Sequence, residues 1–240
     1  MSELWNTPSS SYEKSRNHLH QLAFFALSPA RYREVGRMGL TSTSRGFGTP
    51  PFAGNVARVE RDQLLWESGG NLAIQSISTV RAAAAFFGGD YEPVWYEDFH
   101  DPLSSIDPDT ALEVDPDDSL LIGDWFRFGF DVLNGLRTRG NDADDITEVQ
   151  LWPEHFDAAA EMGSQDAGQR ASYGASPGDG GIPHPYLYVA PWSEVDKSDG
   201  YWNAGHFGGS VLRYDELAAA GDPEVAAAEF FWVGYQRLHR

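Results

Sequence analysis

The chain contains no cysteine among its 240 residues. Disulfides, thiolate nucleophiles and thiolate-bound metals are therefore excluded, and a reducing compartment is compatible with the composition. Lysine is nearly as scarce: Lys14 and Lys197 stand alone, and arginine makes up the rest of the 17 basic residues. Against 36 acidic residues these leave a net charge of −19, which repels phosphate backbones and anionic lipid surfaces. Neither nucleic acid nor a membrane is an expected partner. No apolar run approaches the ~20 residues needed to span a bilayer, and the opening M-S-E-L-W-N-T-P has no basic region followed by an apolar stretch. A cytoplasmic location is expected. Dinucleotide and P-loop fingerprints are missing, and no cofactor is expected. The acidic runs Asp107-Pro108-Asp109, Asp115-Pro116-Asp117-Asp118 and Asp142 to Asp145 never continue into an EF-hand loop, so they read as solvated loops and helix caps.

A hydrophobic content of 41% is enough to bury a sizeable core, and we read residues 1–240 as a single domain. From Ser11 the spacing of Tyr12, Leu19, Leu22, Ala23 and Ala26 predicts a helix that Ser28-Pro29 ends or bends. Met38 to Ser44 and Asn55 to Arg61 read as strands joined by a G-F-G-T-P-P-F loop. Leu64 to Glu67 and Leu72 to Ile77 read as a hairpin about Ser68-Gly69-Gly70-Asn71. Ser78 is the expected N-cap of a helix from Thr79 to Phe87. Tyr91 to Val114 shows no periodicity and reads as a connection. Asp115-Pro116 opens a helix whose Leu121, Trp125, Phe128, Val132 and Leu136 form an apolar stripe. In the second half we expect strands over Ile146 to Trp152, on through P-E-H-F-D-A-A-A-E-M-G, whose first-turn proline, alanines and final glycine also suit a short helix, and over Gln169 to Ala175, Pro185 to Ala190 and Ser210 to Arg213. A final helix should begin at Asp222-Pro223. Strands come in runs and do not alternate with helices, which predicts an α+β fold with antiparallel sheet and helices on one face. Two similar helix-strands-helix halves, 11–90 and 115–240, are compatible with that order.

The motifs W-P-E-H-F-D (Trp152 to Asp157), Y-G-A-S-P-G-D (Tyr173 to Asp179) and P-Y-L-Y-V-A-P-W (Pro185 to Trp192) resemble those of a mainly actinobacterial family of uncharacterised proteins. G-F-G-T-P-P-F and W-N-A-G-H-F-G-G add to the likeness, which runs from Leu19 to Leu238. More remotely, the layout is similar to a larger bacterial domain of unknown function. The resemblance implies a shared fold and carries no catalytic residue with it.

Chemistry-bearing residues are densest between Leu151 and Trp192. Gly174-Ala175-Ser176-Pro177-Gly178 matches the G-x-S-x-G nucleophile elbow, with Asp196 or Asp199 and His206 following in triad order. Pro177 argues against it, because an oxyanion hole needs the N–H that proline lacks. A tight turn is the better reading. Strand alternation places His184, Tyr186 and Tyr188 on one face, and His155 with Asp157 on one face of the preceding segment. Converging, these would offer an Asp-oriented histidine as base and phenols as donors. His155, Asp157 and His184 are the catalytic candidates; Tyr186, Tyr188, Trp192, Trp202 and Asn203 are the ligand-binding ones. The leading expectation is a small-molecule-binding protein, with or without enzymatic activity. A non-enzymatic interaction or scaffold protein is the first alternative, and a divalent-metal-dependent hydrolase using the same histidines and aspartate is the second.

Overall fold

A computed structural model describes residues 3–97, 99, 102–141, 144–205 and 207–240. The fold is α+β, with two five-stranded antiparallel sheets and helices. It divides into two compact units, Met1–Arg127 with Leu151–Phe156, and Phe128–Gln150 with Asp157–Arg240.

The first unit opens with α1 (Tyr12–Leu22), which passes through one π turn (Ala23–Leu27) directly into α2 (Ser28–Val35). Of the end or bend expected at Ser28-Pro29, the end does not occur. Proline lacks an N–H, and in an ordinary helix its ring collides with the carbonyl four residues back. The wider turn immediately before Pro29 shifts that pairing, so the chain stays helical. It stops instead at Gly36, whose φ of 63° closes the helix while its N–H donates to Tyr32 O at 2.8 Å.

The first sheet is a meander of β1 (Thr41–Thr43), β2 (Gly46–Gly48), β3 (Asn55–Glu60), β4 (Gln63–Ser68) and β5 (Asn71–Ser76). The Gly-Phe-Gly expected in a loop is β2 itself. Glycine is needed there because a Cβ on Gly46 would lie 2.0 Å from Val59 O. The hairpin at Gly69-Gly70 forms at the predicted place, with φ of 56° and 81° giving both residues the left-handed angles of a type I′ turn. The next helix, α3 (Val80–Phe86), is capped by Thr79 and not Ser78: Thr79 Oγ1 accepts from Ala82 N at 3.1 Å. Buried rings fill the core, among them Phe47, Phe126 and Phe156, mutually edge-on with centroids 5.1–5.9 Å apart.

Asp115 caps α4 (Pro116–Arg139), accepting from Asp117 N at 2.9 Å and Asp118 N at 3.2 Å. All five residues of the predicted apolar stripe are buried. The second sheet runs in the order β10-β9-β8-β7-β6, from β6 (Gln150–Trp152), β7 (Asp157–Met162), β8 (Ala171–Ser176), β9 (Tyr186–Pro191) and β10 (Ser210–Arg213). Two helices follow, α5 (Tyr214–Ala218) and α6 (Pro223–Leu238). Ala158, Ala160, Tyr173, Ala175, Leu187 and Val189 alternate onto one buried face of this sheet. Gly129 of α4 meets it so closely that a Cβ would stand 2.6 Å from that of Ala175, and Phe231 of α6 packs edge-on against Tyr173.

The continuous strand expected from Trp152 to Met162 is broken. Pro153 to Phe156 form a turn, with Phe156 at a φ of 54° and its N–H donating to Trp152 O at 2.8 Å. Parity restarts at Asp157 as a result, and His155 loses the shared face that uninterrupted alternation predicted.

Candidate functional site

The second face of the second sheet carries the polar residues. Register aligns Ala159 with Gly174 and Gly174 with Tyr188, so Asp157, Glu161, Ser172, Ser176, Tyr186 and Tyr188 point the same way. Gly174 is the hinge of this arrangement. A Cβ there would lie 2.3 Å from Tyr188 Cζ, and without one the phenol lies flat across β8. Its hydroxyl thereby reaches β7 and donates to Asp157 Oδ2. Tyr186, beside it at 6.2 Å between centroids, donates to Asp179 Oδ2 at 2.5 Å.

Burial first, then the neighbouring carboxylates, pushes both phenols well above the ordinary tyrosine value. They stay protonated and act as donors locked to Asp157 and Asp179. Ile182, Val211, Ala204 and Phe207 pack around the rings. The segment Ser176 to Ile182 is the turn expected from its proline and glycines. Ser176 Oγ accepts from Gly178 N at 3.1 Å, and Asp179 Oδ1 accepts from Gly181 N and Ile182 N at 2.6 and 2.7 Å. His206, the proposed third member of the serine triad, lies outside the described residues.

The histidines stand apart from this face. His155 is exposed in the Pro153 to Phe156 turn, 3.3 Å from Glu154. His184 is exposed ahead of β9, because the strand begins at Tyr186 and the expected His-Tyr-Tyr alternation loses its first member. Among the described residues no three His, Asp or Glu side chains are grouped to hold a metal ion. Trp192 is half-exposed, with its Nε1 on Ser172 Oγ at 3.2 Å and the Arg170 guanidinium 5.0 Å above its ring. Asn203 is occupied by structure: its amide donates to Val211 O at 3.1 Å and accepts from Val211 N at 2.8 Å, closing the edge of β10.

Trp202 lines an open cleft of about 300 Å³ in the second unit, with Glu194, Asp196, Asp199 and Arg237. There Arg237 Nε is paired with Asp199 at 2.6 Å and its guanidinium lies over the Tyr201 ring. A second open cleft, of about 420 Å³, belongs to the first unit and is lined by Asn6, Arg61, Asp115, Asp117 and Asp124 among others. Beside it Asp118 is buried, and its Oδ2 accepts the hydroxyls of Ser9, Ser11 and Ser15 at 2.8–3.0 Å.

Three residues with defined electrostatic roles gave little sequence signal. Arg170 is buried and ties Glu161 (2.6 Å), Asp145 (3.1 Å) and Gly163 O together. Asp179 was readable as a turn residue but not as the partner of Tyr186. His20 lies against Phe156, rings stacked at 5.2 Å, with Nε2 on Pro153 O at 2.9 Å. Burial, aided by the nearby charges of His155 and Arg16, lowers its pKa to about 4 despite backbone hydrogen bonds that oppose the shift.

Protein-family models, curated proteins and solved structures contain no match to this chain. Among the described residues no helix is long and apolar enough to cross a membrane.

Proposed function

We propose that this chain is a non-enzymatic interaction protein that engages a partner through the β4–β5 hairpin of its first unit. The observation carrying this reading is β5, an edge strand whose Leu72 and Ile74 are each 54% exposed. Large apolar side chains on an open sheet edge are a liability unless something covers them. The polar face of the second sheet adds negative support, since its phenols and carboxylates are engaged with one another and its histidines lie elsewhere.

The test is a photo-crosslinking amino acid placed in cells at position 74, and as a control at Val225 on α6, which is more exposed still. A discrete adduct at 74 that is missing at 225 is expected. Equal labelling at both positions, or none at 74, would overturn the reading. Small-molecule binding is the second reading, favoured by Trp202 in its cleft beside Arg237 and Asp199. Metabolites that raise the melting temperature of the wild type but not of Trp202→Ala would support it.

A further inference from the structure

We propose that β5 takes up an extended, basic segment of a partner protein as a sixth strand of the first sheet; this rests on the interaction reading above.

The four sheet edges are not treated alike. β1 is three residues long and runs into Arg45. β6 is also three residues long, and its Leu151 exchanges both backbone bonds with Leu40, at 2.8 and 3.0 Å. β10 has four residues and is closed at Val211 by the Asn203 amide. Each of these is the kind of protection edges normally receive. β5 has six residues, Asn71-Leu72-Ala73-Ile74-Gln75-Ser76, without a charge, a proline or a glycine. Indeed no charged residue occurs from Ser68 through Val80, in a chain of net charge −19.

Backbone geometry aims this edge outward. A two-residue type I′ loop makes Ser68 and Asn71 a hydrogen-bonded pair, and antiparallel pairs alternate from there. Ala73 and Gln75 therefore bond to β4, while the N–H and C=O of Leu72, Ile74 and Ser76 face away from it. The two residues with exposed apolar side chains thus also present free backbone groups, which is the arrangement used in strand addition.

Charge selects the occupant. On the face shared by Leu72 and Ile74, Glu60 and Glu67 flank Arg58 at 3.5 and 3.3 Å, leaving two carboxylates to one guanidinium. Glu67 is directly opposite Leu72 and its side chain is 47% exposed. An added strand lies ~4.8 Å beyond β5, so a lysine or arginine opposite Leu72 can lay its methylenes on that side chain and reach the Glu67 carboxylate. A second copy pairing its β5 here would bring Leu72 and Ile74 but no cation to Glu67, and two chains of net charge −19 repel one another. The overall negative charge steers basic segments inward.

The experiment uses the full chain with three synthetic peptides of alternating residues, Lys/Val, Glu/Val and Lys/Val interrupted by proline, followed by backbone amide exchange and sedimentation. The Lys/Val peptide is expected to protect the amides of Leu72, Ile74 and Ser76 and to bind at least ten times more tightly than the other two. Glu67→Gln should weaken it about threefold, the size of one exposed ion pair. Equal binding of the Glu/Val peptide overturns the basic partner. Protection that grows with protein concentration alone assigns the edge to a second copy and overturns the proposal, while leaving the interaction reading intact. If no peptide protects β5, strand addition is refuted; the crosslink at position 74 then decides the interaction reading independently.

Discussion

Acidification should destabilise the first unit through His20. Its folded pKa of about 4 lies below the ordinary 6.5, because charging a buried imidazole is costly and Arg16 and His155 add repulsion. Above pH 6.5 the ring is neutral whether the chain is folded or not, and the full stability is present. As pH falls, the unfolded chain binds a proton that the folded chain refuses, so stability declines until the folded group also titrates near 4. Between pH 7 and pH 5, where most carboxylates remain ionised, the difference comes to about 2 kcal/mol. For a protein of this size that is roughly 4–8 °C in Tm. The comparison is with His20→Gln, which keeps an N–H for Pro153 O but cannot charge. Urea denaturation at both pH values should show the wild type more stable at pH 7, with that advantage shrinking by about 2 kcal/mol at pH 5. An advantage unchanged with pH, or an imidazole NMR signal titrating near 6.5, would refute the reasoning.

Gly174→Ala should cost about 1–3 kcal/mol in chemical denaturation, because a methyl there collides with Tyr188. In a Tyr188→Ala background the same change should be close to neutral, and a full cost in both backgrounds would show that the ring is not the obstacle. Arg170→Met should cost about 2–3 kcal/mol, mainly from stranding the half-buried Glu161, since Asp145 is largely solvated. A loss below about 0.5 kcal/mol in urea titration would mark the guanidinium as idle.

Features set by neighbouring residues were legible from sequence. Gly69-Gly70, Asp115-Pro116 and Asp222-Pro223 fix backbone angles or caps locally, and the hairpin and both helix starts appear where they predict. Features that depend on residues far away were not. Pro29 announces a helix end or bend, and only the π turn before it lets the chain continue. Gly46 looks like a loop glycine, and the reason for it is the carbonyl of Val59 on the next strand. Alternation put Tyr186 and Tyr188 on one face, but it could not register that Phe156 adopts a left-handed angle and resets the count for His155. The polar face was thus visible as tyrosines and Asp157. Its second carboxylate, Asp179, was hidden inside turn chemistry.

The short return segment Leu151–Phe156 matters for how the protein is made. It supplies the backbone partner of Leu40, the carbonyl under His20 and the ring on which that imidazole rests. His20 and Pro153 are 133 residues apart in the chain. At common rates of translation, roughly 7–27 s pass between their synthesis. During that interval the nascent N-terminal helix has no lid, so holdase chaperones have a defined window on it. For the same reason a gene cut after Arg127 would encode a first unit without its return segment, and adding Leu151–Phe156 in trans as a peptide is the natural complement.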